Sequence, residues 1–402
     1  MKNTFDYIIA GGGCAGLSLA YSLLNSSLKN QSILIIDLDS KKSNDRTWCY
    51  WTEQPTHFDH IVHRSWSKLA FADDKGELVS EISPLRYEMI KGIDFYDYMW
   101  SEISKHPNVE FLNARISDIG CNDEQAYVVV GQVRFFAKKV FDSCFNLGRL
   151  QSIARNDYHF QLQHFLGWVI ETKENCFTSD VATIMDFRTE QEGQTRFFYV
   201  LPLSQNKALV EFTIFSSNLL NKNNYEKTIK KYLNEQLNIQ DYTVKEEEYG
   251  IIPMTDAPFP EHPSPHIIPI GIKGNGAKPT TGYAFIRIQE QVKEITTQLE
   301  QNYEQIRLKS SKQRFKFYDT LLLHILEYNG AKSKYIFSRL FRHNPFKIIL
   351  SFLDERTSIW NEMSIFASLP FIPFLKALYQ TKIKTRKNKR YKELISSQNQ
   401  RA

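Results

Sequence analysis

The apolar positions change rhythm three times along the chain. Phe5-Asp6-Tyr7-Ile8-Ile9-Ala10 reads as a short apolar strand that breaks at Gly11-Gly12-Gly13 and restarts as a helix, with Leu17, Ala20 and Leu24 on one face. A second apolar strand, Ile33 to Ile36, ends in Asp37 and a polar loop. Short alternating runs follow at Lys68–Phe71 and Glu77–Ser80, then a helix over Asp94 to Ile103 and a strand at Val109–Leu112. Ala126–Val130 and Val133–Phe136 predict a hairpin around Gly131-Gln132, and Val140–Ser143 a strand returning to the first sheet.

From Gln161 to Phe215 the rhythm is that of strands dense in aromatics: Phe165–Ile170, Thr183–Phe187, Arg196–Ser204 and Ala208–Ile214. A helix over Asn224 to Glu235 leads to Glu246–Met254, whose three adjacent acids read as a solvated strand end. Ile267 to Ile270 then enters a second glycine stretch, and the final hundred residues are helical and rich in Phe, Leu and Tyr. The predicted fold is α/β, a parallel Rossmann-like sheet with an inserted mixed or antiparallel β-sheet and a helical C-terminal part. The boundaries read from these shifts are 1–150 and 262–300 for the two parts of the nucleotide-binding domain, 151–261 for the β-rich insert, and 301–402 for the helices and tail.

Candidate chemistry begins at the first break. Gly11, Gly13 and Gly16 fit G-x-G-x-x-G, in which the glycines allow a tight turn, the approach of a pyrophosphate and close helix–strand packing. Asp37 stands about 20 residues on, where an acid hydrogen-bonds an adenosine ribose. Together they predict a bound dinucleotide. Arg46 is either a bidentate donor to the cofactor's phosphates or a surface arginine; Trp48, Tyr50, Trp51 and Phe58 read as core or pocket wall. The second stretch repeats the logic of strand, glycine loop and helix, with Gly274, Gly276, Pro279, Thr280 and Gly282 as candidates to face a flavin ring. Glu211 interrupts an apolar run, so it either points to solvent on the alternating face or is a carboxylate buried at a cost.

Charge alters the picture at one end. The chain carries +5, but residues 381–402 hold eight Lys or Arg against one Glu, so the remainder sums to about −2 and is no polyanion binder. Phe371-Ile372-Pro373-Phe374-Leu375 followed by that basic tail reads as a membrane-surface anchor or as a solvated tail. No motif supports nucleic acid. The five cysteines show no C-x-x-C pairing, which predicts neither disulfides nor a metal site and suggests a reducing compartment. The chain enters a strand at once, leaving no room for a signal peptide, and no uncharged run reaches the roughly 18–20 residues that span a bilayer.

In combination these segments resemble the flavin-dependent lycopene cyclases of carotenoid synthesis, bacterial and plant type, over nearly the whole chain. The likeness runs through the opening loop with Asp37, Asp45-Arg46-Thr47-Trp48 and Met185-Asp186-Phe187. It continues in Tyr199–Ser204 with Glu211-Phe212-Thr213, then Glu248–Met254 and Lys278–Tyr283; Phe352-Leu353-Asp354 and Ser368-Leu369-Pro370 also look similar. The resemblance implies a Rossmann-like FAD-binding domain and conversion of the ends of linear lycopene, or another linear carotene, to β-ionone rings without net redox change. It implies reduced FAD, with NAD(P)H as electron donor. It also implies a peripheral, monotopic place on the cytoplasmic side of a membrane, beside other carotenoid enzymes.

In that family two adjacent acids often stand on the strand of Glu211, the first regarded as the catalytic acid/base; here Phe212 takes the place of the second. The resemblance therefore turns Glu211 toward a pocket. Protonating an alkene needs a neutral carboxylic acid, hence an apolar site, and the resulting cation needs nearby negative charge. An anionic flavin at about 4 Å and an effective dielectric of about 20 would supply about 4 kcal/mol, roughly a thousandfold in rate. Two rivals share the opening loop or the composition: an FAD- and NAD(P)H-dependent monooxygenase or polyprenyl reductase, and a non-catalytic flavin or carotenoid carrier. Aromatic hydroxylases usually carry Gly-Asp at the second glycine stretch, where this chain has Gly271-Ile272.

Overall fold

The computed structural model describes residues 2–154, 157–258 and 264–381. Its first sheet places five parallel strands in the order Val109–Asn113, Ile33–Asp37, Thr4–Ala10, Val133–Asp142, Ile267–Pro269, the order of a dinucleotide-binding fold. Both faces of the central strand are covered, which is why it reads as a continuous apolar run. Ile9 packs under the helix Cys14–Leu24 with Leu17 and Leu23, and Ile8 lies on the other side with Leu34 and Val140. The hairpin at Gly131-Gln132 forms as predicted, but its second arm and the returning strand are one strand, Val133–Asp142. The intervening Lys138-Lys139 hid that continuity. Lys138 pairs with Asp6 outside the sheet, and Lys139 reaches to the carbonyls of Pro265 and Glu304.

The second sheet runs Thr243–Thr255, Phe160–Glu171, Lys207–Ser216, Thr195–Pro202, Val181–Asp186, Lys68–Asp73, Gly76–Glu81. It is mixed, since Val181–Asp186 and Lys68–Asp73 pair in parallel. The segment 1–150 thus feeds both sheets. A small third sheet joins Thr47–Thr52, Arg86–Lys91 and Arg64–Trp66. Thr47–Thr52 escaped the sequence reading because Trp48, Tyr50 and Trp51 break the alternation of a one-sided strand.

The two faces of the second sheet have different covers. On one, Phe198, Val210, Phe212 and Ile214 pack under the helix Lys222–Glu235 through Tyr225, Ile229 and Tyr232. On the other lie the helices Gln313–Tyr328, Ser333–His343, Phe346–Leu353 and Ile359–Ser368, with a further helix over 371–381. Among the described residues no helix is long and apolar enough to cross a membrane. The basic run from Lys382 lies outside the described residues.

Candidate active site

The opening loop is tight except where a ligand would enter. A Cβ on Gly16 would meet the Gly11 carbonyl oxygen at 1.9 Å and Ile9 Cγ2 at 2.9 Å, whereas one on Gly13 would meet nothing within 4 Å. Gly13 caps the helix Cys14–Leu24 with no side-chain acceptor and no acid in the first turn, so the bare N–H groups favour an anion. Asp37 Oδ2 accepts from Gly12 N–H at 2.6 Å. The Arg46 guanidinium, paired with Asp45 at 2.8 Å, lies close enough to the start of that helix for its charge to act on the Cys14 thiol. The structure therefore brings Gly11, Gly13, Gly16, Asp37 and Arg46 together.

The second glycine loop meets this group. A Cβ on Gly271 would stand 2.9 Å from that of Ala15. Gln291 holds the loop, accepting from Gly271 N–H and donating to the Gly274 carbonyl, while Gly276 N–H bonds back to the Gly271 carbonyl. Gly282, at φ +73°, lies against Gln163, whose Oε1 is buried and has no partner. A flavin ring amide would satisfy such an acceptor. Pro279 is half-buried. Thr280 faces elsewhere, its hydroxyl donating to Asp319 at 2.9 Å. An open Gly13, an uncapped helix start and an orphaned acceptor at the far loop fit an elongated dinucleotide. Among the described residues no cluster of His, Cys, Asp or Glu suits a metal ion.

Between the second sheet and the helices lies a cavity of about 480 Å³. Its walls are almost wholly apolar: Trp51, Ile184, Phe197, Tyr199 and Phe215 from the sheet side, Phe315, Leu322, Phe337, Phe341 and Phe352 from the helices. Its apolar lining suits the end of a long hydrocarbon. Phe317, Phe371 and Leu375 line it and are also exposed, so it opens beside the last helix.

Glu211 lies on the cavity face of the sheet. Phe215 and Leu209, at even spacing from it, belong to the core on the cavity side, while Val210 and Phe212 belong to the core under the opposite helix. Glu211 is not itself a wall residue, but its cross-strand partner Tyr199 and its electrostatic neighbour Tyr283 are. Protein surrounds it while its side chain keeps access to internal space. Burial, with the charge of Glu248 added, pushes its carboxyl up to about 8, against the opposing bond from the Thr213 hydroxyl, 2.7 Å from Oε1. The exposed alternative for Glu211 is thereby excluded. Phe212 is stacked on Phe198 beneath the opposite helix; an acid there would face away from the cavity.

Residues not singled out by sequence complete the site. Glu248 is drawn out of its run of acids: Glu246 pairs with Lys91 and Glu247 with Lys222, whereas Glu248 takes both donors of Thr47, N–H at 2.8 Å and Oγ–H at 2.6 Å. The expected solvated strand end is thus wrong for Glu248, for the third acid turns inward. Tyr87 and Tyr283 share a hydrogen bond of 3.1 Å. Trp51 Nε1 donates to Asp354 at 2.7 Å, and burial raises that carboxyl to about 6 despite Arg356 and Trp51. Lys278 is buried between Asp319 at 2.8 Å and Glu355 at 2.9 Å. Strand parity was the available signal for Glu248. None existed for the distant partners of Lys278.

Two glycine loops on a 3-2-1-4-5 sheet, with a second sheet roofed by helices, define the fold of FAD-dependent flavoproteins. A flavoprotein/dehydrogenase from Cytophaga hutchinsonii matches it with a TM-score of 0.60 at 11% identity, over 96% of this chain and 100% of that one. The halogenase PltM in complex with phloroglucinol and FAD matches with a TM-score of 0.56 at 11% identity, over 96% and 92%. The chain belongs to the lycopene cyclase family: the family model described as lycopene cyclase protein matches residues 6–379. The lycopene beta-cyclase of Pantoea ananas is 23% identical over 94% of this chain and 98% of its own length.

The raised carboxyl has a consequence for stability. A folded-state value of about 8 against an unfolded 4.5 means that Glu211 costs nothing below pH 4.5 and destabilises progressively as pH rises to 8. Discounted for its partial access, the cost is roughly 2 kcal/mol. Glu211→Gln should therefore unfold like the parent at pH 4 and be more stable by about that amount at pH 9. Urea titrations at the two pH values check this, and a difference independent of pH would contradict it.

Proposed function

We propose that the protein converts linear lycopene end groups to β-ionone rings, as an intramolecular lyase or isomerase with Glu211 as the acid. The observation that carries this reading is the placement of Glu211, its carboxyl pushed up by burial, on the cavity face of an aromatic-walled site, in a chain of the lycopene cyclase family. The Glu211 proton adds to the terminal double bond of the polyene, an internal double bond attacks the resulting tertiary cation, and the six-membered ring closes. Loss of a proton from the adjacent ring carbon gives the ring double bond, and one proton gained balances one lost. Tyr199, Phe197 and Trp51 orient the apolar end and exclude water that would trap the cation.

FAD would be held by Gly11, Gly13, Gly16, Asp37 and Arg46 at its phosphates and ribose, and by Gly274, Gly276, Pro279 and Gly282 at its ring. Reduced by NAD(P)H and anionic, it would supply negative charge that stabilises the cation without net redox change. The test is conversion of lycopene by the purified full-length protein under reducing conditions, read from the pigment's absorption and mass. Activity should be full below pH 7 and decline as pH rises through about 8, where Glu211 loses its proton. A product of altered mass, formed with stoichiometric NADPH consumption, would favour the monooxygenase or reductase reading.

The substrate arrives from lipid, and the cavity mouth fits a peripheral, monotopic place on the membrane. Trp360, Phe371 and Ile372 are 77%, 73% and 78% exposed, and Ile359, Met363 and Tyr379, near them in the chain, are exposed as well, which supports contact with an apolar surface. Each large side chain sunk into lipid contributes about 1.5–3 kcal/mol. The double variant Trp360→Ser/Ile372→Ser, at two exposed positions that do not line the cavity, should lose at least about tenfold in partition to anionic lipid vesicles, measured by cosedimentation, with turnover of detergent-dispersed lycopene retained.

A further inference from the structure

A second carboxylate stands opposite Glu211 across an intervening glycine. Gly167, in Phe160–Glu171, pairs with Glu211 on one side and with Glu248 on the other. The three residues form one row across the sheet and project to the same face. The backbones of the two acids are two strand spacings apart, about 9–10 Å, and the residue between them has no side chain. The space is committed: a Cβ on Gly167 would come 3.0 Å from Leu209 Cδ1 and 3.4 Å from Glu211 Cβ. Glu248 cannot swing away, because each of its oxygens accepts a hydrogen bond from Thr47. Burial raises its carboxyl, and the two Thr47 donors oppose that rise and favour the charged form.

We propose that Glu248 is a positioning residue for the reaction, an anion pinned by Thr47 whose field across Gly167 extends the proton-bearing form of Glu211 to higher pH. The proposal rests on the cyclase reading and deepens it. The surrounding groups leave this charge unopposed at Glu211. Facing Glu211 are Glu248, Tyr199, Tyr283, Cys49 and the Thr213 hydroxyl; burial holds the two phenols and the thiol protonated. Facing Glu248 are Thr47, Arg46, Asp45 and Cys49; the Arg46 charge favours its ionised form, and Asp45, paired with Arg46, offsets part of that. Among the described residues no cation forms a salt bridge with either Glu211 or Glu248. Thr47 follows Arg46, so the segment expected to hold the cofactor's phosphates also holds the anion that adds to burial at the acid.

The experiment compares full-length parent, Glu248→Gln and Glu211→Gln, as purified, by infrared titration. The protonated-carboxyl band absent from Glu211→Gln reports Glu211 whether or not the protein turns over. Glutamine at 248 preserves the contact with Thr47, since its carbonyl accepts from the N–H and its amide donates to the hydroxyl. The Glu211 midpoint should fall by about one pH unit in Glu248→Gln. Lycopene turnover should then be unchanged at pH 6 and about tenfold lower at pH 9. Thr47→Val, which removes one of the two donors, should shift the midpoint in the same direction by less.

An unmoved midpoint in Glu248→Gln overturns the proposal, even if lycopene is cyclised normally. Loss of turnover by the same factor at every pH assigns Glu248 a structural role and likewise overturns it. A shifted midpoint in a protein that does not cyclise lycopene at any pH supports the electrostatic coupling and refutes the cyclase reading.

Discussion

Glu211→Gln is expected to keep the fold and lose cyclisation by about a thousandfold, within the range of 10²–10⁴ typical for removing a general acid. The substitution is nearly isosteric, and the Thr213 hydroxyl that donates to Glu211 Oε1 at 2.7 Å can donate equally to the amide oxygen. What disappears is the transferable proton. The loss should fall on kcat, because a neutral carboxyl and an amide bind an apolar chain end alike while the acid acts only in the transition state. Lycopene consumption followed by absorption, with parent and variant matched for bound flavin, measures the effect. A variant retaining more than about a tenth of parental kcat would remove Glu211 from the reaction.

The second large effect is on stability. Lys278→Met should cost about 3–5 kcal/mol, as expected when one partner of a buried ion pair is removed. The ammonium bridges Asp319, on the helix Gln313–Tyr328, to Glu355, in the turn after Phe346–Leu353. Burial pushes the Asp319 carboxyl up, against the opposing charge and hydrogen bond of Lys278. Burial acts on Glu355 in the same sense, but Lys278, Arg287 and Ser311 outweigh it and hold that carboxyl low.

With Lys278 gone, Asp319 keeps Thr280 and Glu355 keeps Arg287 and Ser311, so neither is stripped bare. Protonation relieves a buried carboxylate, and an acid whose folded value is raised destabilises as pH rises. The deficit should therefore be larger at pH 8 than at pH 5. Urea unfolding at both values decides it, and Lys278→Arg, which keeps the charge, should recover part of the loss. Because Lys278 lies within the second glycine loop, between Gly276 and Pro279, the variant should also bind flavin more weakly.

The sequence was most informative where the determinants are local. The first glycine loop, its helix and Asp37 depend on contacts within some 30 residues, and G-x-G-x-x-G states their steric demands outright. The hairpin at Gly131-Gln132 and the helix Gly92–Ile103 were legible for the same reason. Glu211 was legible as a residue but not in its orientation. A strand buried on both sides has no polar face to fix the phase, and only the placement of Phe212 under Lys222–Glu235 settles it.

Glu248 was concealed by Glu246 and Glu247, which have ordinary surface partners. Trp51 with Asp354 and Lys278 with Asp319 and Glu355 are joined across 303, 41 and 77 positions of chain, and no periodicity within an element encodes such partners. The family resemblance puts two adjacent acids on this strand, and here Phe212 stands in place of the second. Parity sends position 212 to the far side of the sheet, and the second carboxylate on the near side comes from another strand through Gly167.

The apolar chamber opens to the outside beside Phe371 and Leu375, so on the proposed reading a chain end would enter and leave by one doorway. A substrate with two like ends would then need a second, reversed visit to have both closed. Its half-finished form would compete with untouched chains for that doorway, and the ratio of one-ringed to two-ringed product would follow from supply and residence time.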